Sequence, residues 1–313
     1  MPTTAHRHLF RRHGLLGTVI DATVTGAGSA AIAADAAAAC FGEIERLQRV
    51  FNVFDEHSEL RRWRSGETAP GPELTEVNAL AAAWRERSGG AFDPAAGALM
   101  TLWDTARSNG ALPDGDAIAH VIDEMGRGVA SDWSLNAIAK GWIVDRAVRH
   151  AFRPDAMSGL TVNAGGDLLT LGASPIIVGI EDPHRPFDNV PPLTRVAVHD
   201  AALATSGRGR RGWSIAGVWY GHVVDPRTGW PVGHVASASV VAPDAATADV
   251  VATVLAVLPI AEGVAFADGL DLACLILDAA GDAHRNHRWC AAEEAATAVI
   301  GSATSRDLHH ATR

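Results

Sequence analysis

Cysteine is scarce in this sequence. Cys40, Cys274 and Cys290 are the three in 313 residues, and no two form a CxxC pair. That argues against a disulfide framework and points to a reducing compartment. The 14 histidines include no HExxH motif, and His6, His8, His13, His284 and His287 fall in polar terminal or turn-like stretches, so zinc is disfavoured. Aromatic residues make up only 6% of the chain, which leaves few large anchors for its core. Positive charge is also short. With 26 Lys+Arg against 36 Asp+Glu the net charge is −10, which argues against a nucleic-acid partner. No uncharged run is apolar enough to span a membrane. Neither a GxxxxGK[ST] phosphate loop nor a GxSxG nucleophile elbow occurs. Arg11-Arg12 precedes a mildly apolar run, but Asp21 interrupts it and residues 18–24 read as a strand rather than an export signal. The expected location is the cytoplasm, without membrane insertion.

What is present centres on residues 245–258, an apolar run broken by Asp249 and Thr253. It reads as a buried helix. The two polar residues are four apart and share a face, with Cβ atoms about 5–6 Å apart. A buried carboxylate needs a partner, and a carboxylate beside a hydroxyl suits Mg²⁺ better than Zn²⁺. The structural alternative is an Asp meeting free N–H groups in the first helical turn, with Thr253 bonding back to its own helix.

Around this run the chain alternates short strands and helices. Residues 15–24 read as a first strand. Residues 30–50 read as a helix with Ile32, Ala36, Cys40, Ile44 and Leu47 on its packed face, and 73–87 as another, closed by Gly89-Gly90. Ser58 is placed either to cap a short helix or to touch a ligand. Asp93 is placed either to cap a helix opening on Pro94 or to meet a ligand. An apolar helix is expected from near Ala139, with Lys140 in its first turn. Free N–H groups and an ammonium there suit a phosphate, although Lys140 reaching solvent is the plain reading. Asp145 lies on the same helix, within reach of Lys140 or a neighbouring amide. A strand at 159–162 leads into Asn163-Ala164-Gly165-Gly166-Asp167, whose paired glycines let backbone approach a ligand. Thr205 and Ser206 stand beside Gly207. Residues 213–218 and 219–224 read as a hairpin, and Arg227 in the loop after His222 either holds a phosphate or pairs with Asp225.

Taken in order, Gly17-Thr18, Ser58-Glu59-Leu60, Gly90-Ala91-Phe92-Asp93-Pro94, Ala139-Lys140-Gly141 with Asp145, Asn163-Ala164-Gly165-Gly166-Asp167, Ala204-Thr205-Ser206-Gly207, His222 with Asp225-Pro226-Arg227-Thr228-Gly229, and Ala248-Asp249 with Thr253 resemble the motif series of the ApbE family, the FAD:protein FMN transferases. The resemblance spans residues 15–277. It implies an α+β fold, related to the T-fold, with mixed or antiparallel sheets and packed helices. A single domain over 10–300, undivided or in two lobes, would hold FAD in its cleft between flexible termini at 1–9 and 302–313. The resemblance further implies Mg²⁺ at the FAD pyrophosphate, held by Asp249, Thr253 and a backbone carbonyl near Ala139. FAD would be contacted by Ser58, Asp93, Lys140, Asp145, Asn163, Gly165, Gly166, Thr205, Ser206, Gly207, Arg227 and Thr228. The implied reaction moves FMN to a Ser/Thr hydroxyl of an acceptor flavoprotein and releases AMP, with His222 or Asp167 activating that hydroxyl.

Several positions depart from the family pattern. Ser134 stands where an acidic residue is common, Asn136-Ala137 replace a glycine pair, Arg208 follows the Thr205-Ser206-Gly207 motif, and Trp63 replaces a frequent asparagine. Two other readings remain open at this stage, a Mg²⁺-dependent FAD pyrophosphatase giving FMN and AMP, and a non-catalytic FAD-binding module.

Overall fold

The computed structural model describes residues 6–185, 190–207 and 211–310; Arg208 lies outside them. The chain opens with a hairpin, β1 (Arg7–Leu15) and β2 (Thr18–Thr25). Helices α1 (Ala30–Phe51), α2 (Glu59–Arg64) and α3 (Pro72–Arg87) follow, then α4 (Gly97–Asn109), α5 (Gly115–Arg127) and α6 (Asn136–Ala151). Next come β3 (Gly159–Ala164), β4 (Asp167–Gly172), β5 (Ile176–Ile180), β6 (Thr194–Val198), β7 (Ala201–Gly207), β8 (Gly212–Ile215), β9 (Val218–Gly221) and β10 (Val235–Ala242). The chain then runs through α7 (Ala245–Val257), α8 (Ile260–Gly269), β11 (Ala273–Asp278), β12 (Ala283–Arg285) and α9 (His287–His310).

Among the described residues the strands form one eight-stranded sheet, ordered β1-β2-β3-β4-β7-β10-β11-β12, and two separate hairpins, β5-β6 and β8-β9. Each neighbouring pair in the large sheet is antiparallel. The strand alternation sorts side chains into two apolar layers. Ala202, Ala204, Val240, Cys274 and Ile276 point to the face covered by α1, α6 and α7. Leu203, Ala236, Leu275 and Leu277 point to the other face, where Val196 and Val198 of β6 and Trp289 of α9 cover them. Burial on both faces is why the central strands carry so few charged residues.

The helix α1 forms where the sequence predicts it. Ser29 caps it, its Oγ accepting from Ile32 N at 3.2 Å. Its packed face runs through Ala33, Ala36, Ala37, Cys40, Ile44 and Leu47, which takes in the expected stripe apart from Ile32, which is exposed. Other expectations need correction. The single strand at 15–24 is a hairpin, because Leu16 (φ 50°) and Gly17 (φ 70°) turn the chain in left-handed conformation. Its first strand starts at Arg7, inside the stretch expected to be a free terminus, and the α9 backbone continues past Ser302. The segment Ala204–Gly207 lies in β7, paired with β10. α6 begins at Asn136, so Lys140 sits beyond its first turn; both residues that replace the glycine pair are taken into the helix.

Candidate active site

Three of the segments singled out in the sequence, around Lys140, Asp167 and Asp249, meet where α6, α7 and the β3–β4 turn adjoin. α7 packs on α6 and lies across β7 and β10. The two helices approach closely at Gly141, where a Cβ would strike the Ala245 carbonyl and the Ala246 Cα. Lys140, beside it, reaches the other way and forms an ion pair with Asp167 at the start of β4. Asp167 is buried, with 3% exposure. Just before it, Gly165 (φ +67°) packs its Cα against Thr18, and Asn163 Oδ1 accepts from Gly166 N at 2.9 Å. This tight turn places Asp167 under the Lys140 ammonium.

Asp249 occupies the same junction. It lies in the second turn of α7, so it does not cap the helix; Asp244 does that, its side chain accepting from Thr247 N at 2.7 Å. The first-turn reading of Asp249 is therefore overturned. Its Oδ2 is sealed from solvent and has no hydrogen-bond partner among the described residues. Burial raises its pKa to about 6, against the lowering effects of the Lys140 charge and the Gly141 amide. Thr253 Oγ1 donates to Asp249 O at 3.2 Å, so the expected back-bond to its own helix is present. Ala139 is buried within α6, with 6% exposure.

Asp145 is differently engaged. Its two oxygens accept from Ala245 N at 2.7 Å and Ala246 N at 2.9 Å, capping α7 from α6. This geometry gives Asp145 a structural role, with each carboxylate oxygen held by a backbone donor.

A second group surrounds a cavity of about 590 Å³ lined by Arg85, Gly90, Asp93, Met125, Trp133 and Arg227, among others. Asp93 Oδ1 accepts from Ala95 N at 2.8 Å and its Oδ2 pairs with Arg85 Nε at 2.9 Å. Both cap and pairing occupy it. Arg227 forks onto Asp225, Nε at 2.9 Å and Nη2 at 2.8 Å, the ion-pair alternative read from the sequence. Thr228 Oγ1 accepts from Trp230 N at 3.3 Å. Trp103 Nε1 fixes this loop by donating to Gly229 O at 2.9 Å. Ser134 N, just ahead of α6, donates to Pro94 O at 2.6 Å, next to Asp93. Ser58 is buried and caps α2, its Oγ accepting from Arg61 N at 3.2 Å; α2 in turn reaches the same loop through Arg64 and the Trp133 carbonyl.

Thr205 Oγ1 lies 2.8 Å from Ser239 Oγ on the neighbouring strand, while Ser206 and Gly207 face Ala238 and Ser237 across the β7–β10 register. His222 stands just beyond β9, where its backbone N–H donates to Arg211 O at 3.1 Å and its Nδ1 lies 3.3 Å from the same oxygen. A carbonyl only accepts, so Nδ1 carries the proton. Burial lowers the His222 pKa and favours the neutral ring, leaving Nε2 as a base. Arg85 and Trp133 were not singled out in the sequence. Arg85 lay in an ordinary helix end, and Trp133 Nε1, buried beside the cavity without a partner among the described residues, gave no local signal.

The sequence model of the ApbE family matches residues 16–276. The chain belongs to the ApbE family. It is 33% identical over 208 residues to the FAD:protein FMN transferase of Treponema pallidum, covering 55% of this chain and 56% of that one, so it spans little more than half of that relative's length. With the FAD:protein FMN transferase of Chlamydia pneumoniae it shares 29% identity over 238 residues, 69% of this chain and 73% of the relative. The crystal structure of the ApbE protein of Thermotoga maritima superposes with a TM-score of 0.79 at 25% identity, over 92% of this chain and 99% of that one. The apo flavinyl transferase ApbE of Pseudomonas stutzeri gives 0.76 at 20% identity, over 94% and 98%. The expected α+β architecture with antiparallel sheets and packed helices is thus the ApbE fold. No described helix is long and apolar enough to cross a membrane.

Proposed function

We propose that this ApbE-family chain is an enzyme that transfers the FMN part of FAD to a Ser/Thr hydroxyl of an acceptor flavoprotein, with Mg²⁺, releasing AMP. The observation that carries this reading is the Asp249 carboxylate at the α6–α7 junction, whose Oδ2 is sealed from solvent and unpartnered among the described residues, beside the Lys140–Asp167 pair. Such an oxygen fits a hard cation. Asp249, the Thr253 hydroxyl and the second lone pair of the Ala139 carbonyl would hold it. The donors are all oxygens, and no described cluster of His, Cys, Asp and Glu offers an alternative metal cage. Bound there, Mg²⁺ supplies Lewis-acid charge to the pyrophosphate.

Lys140 adds a cation that Asp167 holds in place, so the pair binds phosphate oxygens without a P-loop. The open backbone at Gly166 and the cavity beside Asp93 and Trp133 accommodate the rest of the dinucleotide. His222 Nε2 takes the proton from the acceptor hydroxyl as its oxygen bonds to the FMN phosphorus. The bond from that phosphorus to the bridging oxygen breaks, and AMP leaves. Asp167 is the weaker candidate for this base, because its charge is committed to Lys140.

Incubation with FAD, Mg²⁺ and a protein bearing a Ser/Thr flavinylation site tests the reading. Covalent FMN on that protein, lost in chelator, is the expected result. Free FMN formed equally with and without acceptor would instead establish the pyrophosphatase, and intact FAD throughout would leave a binding module.

A further inference from the structure

The start of α7 is only partly capped by its own sequence. Asp244 serves Thr247 N through its side chain and Ala248 N through its carbonyl, at 2.7 and 3.1 Å. The two remaining N–H groups belong to Ala245 and Ala246, which are 1% and 6% exposed. Helix starts often leave such groups to water. Here burial denies them water, and both are met by one carboxylate from a residue 100 positions before Ala245. Two bonds from one rigid group fix both the axial position and the rotation of α7. One turn earlier on the same face of α6, Gly141 lets the Ala245 backbone come into contact, so the packing has no side chain to cushion it. Asp249 lies one turn beyond Ala245 and Thr253 one turn further, while Ala139 and Lys140 lie on α6 just before Gly141.

We propose that Asp145 is a positioning residue: by holding the Ala245 and Ala246 amides it sets the register of α7 on α6, and with it the spacing between Asp249, Thr253 and the α6 backbone. It touches neither FAD nor the cation. The inference rests on the reading of Asp249 and Thr253 as cation donors. The site demands two acceptor oxygens at one reach. Asparagine offers one acceptor and turns an NH₂ toward an amide, and glutamate keeps the charge but displaces the carboxylate by a methylene.

The test follows Mg²⁺ affinity by the rise in unfolding temperature as Mg²⁺ is titrated into FAD-saturated protein, with FAD binding measured separately in chelator. Asp145→Asn and Asp145→Glu should each weaken Mg²⁺ binding by about tenfold or more, with FAD binding in chelator unchanged. Asp244→Ala removes the other cap of the same helix; it should lower the unfolding temperature and leave Mg²⁺ affinity as in the wild type. Wild-type Mg²⁺ affinity in both Asp145 variants overturns the inference alone. Equal loss in Asp244→Ala also overturns it, because any weakening of α7 would then suffice. A wild type that ignores Mg²⁺ overturns both this inference and the cation reading beneath it. Should Asp145→Asn fail to fold, Asp145→Glu decides by the same measure, since retained charge with weakened Mg²⁺ binding isolates geometry.

Discussion

Two carboxylates lie one helical turn apart along the contact of α6 with α7, and they have opposite surroundings. Asp145, on α6, has both oxygens bonded to amides of α7. Asp249, on α7, has an oxygen with no partner among the described residues. Burial raises the pKa of each to about 6. The raised pKa therefore does not separate the two carboxylates; the donors around them do. The Asp145 side is finished as the chain folds, whereas Asp249 Oδ2 has no partner among the described residues.

The contrast breaks first if the two residues respond alike to truncation. Asp249→Ala should lower FMN transfer by about 10²–10³-fold with the unfolding temperature unchanged or raised, since an unsatisfied buried carboxylate has been removed. Transfer assays beside thermal unfolding check this, and a stable, fully active variant would end the cation reading.

His222, the proposed base, sharpens the comparison as a half-buried titratable group whose backbone N–H and Nδ1 are both within hydrogen-bonding distance of the Arg211 carbonyl oxygen. His222→Asn should slow single-turnover transfer by about 10²-fold while FAD binding persists. Because burial lowers its pKa, the acid limb of the wild-type rate should fall below the ordinary histidine range. A variant that retains that limb would move the base elsewhere.

On the structural side, Asp145→Ala leaves two buried amides unpaired and should cost about 2–4 kcal/mol in denaturant unfolding. A loss no greater than that of Asp249→Ala would erase the distinction.

The smallest expected effect concerns pH. The folded-state pKa of Asp145, about 6, lies above the ordinary aspartate value of 3.8. A carboxyl raised in this way contributes stability that is full below the unfolded value and is lost as pH rises through the folded one. Relative to Asp145→Asn, the wild type should therefore gain on the order of 1–2 kcal/mol between pH 6 and 4. Unfolding of both proteins across that range measures it, and parallel curves would show that Asp145 does not titrate on folding.

Local pattern carried much of this fold. The stripes of α1 and α7, the Pro94 start after Asp93 and the Gly165-Gly166 turn were legible because each depends on residues within a few positions of one another. The β1–β2 hairpin was not, because Leu16 in a left-handed turn gives no composition signal. The start of α6 was misplaced because Asn136 and Ala137 do not mark a boundary by themselves. The ion pairs Arg85–Asp93 and Lys140–Asp167 join separate elements, and periodicity is silent about such partners.

The sequence by itself determined that residues 245–258 form a buried helix carrying Asp249 and Thr253 on one face, and the order of its motifs determined the family. Helical period and side-chain polarity are local properties, so one strand of text suffices to state them. Only the tertiary structure decided that Asp145 is consumed by the Ala245 and Ala246 amides while Asp249 is left open. That decision depends on how closely two helices far apart in sequence approach, which Gly141 permits and the packing of α6, α7 and the sheet enforces. A carboxylate's role follows from the donors that surround it, and those donors are assembled only when the chain closes on itself.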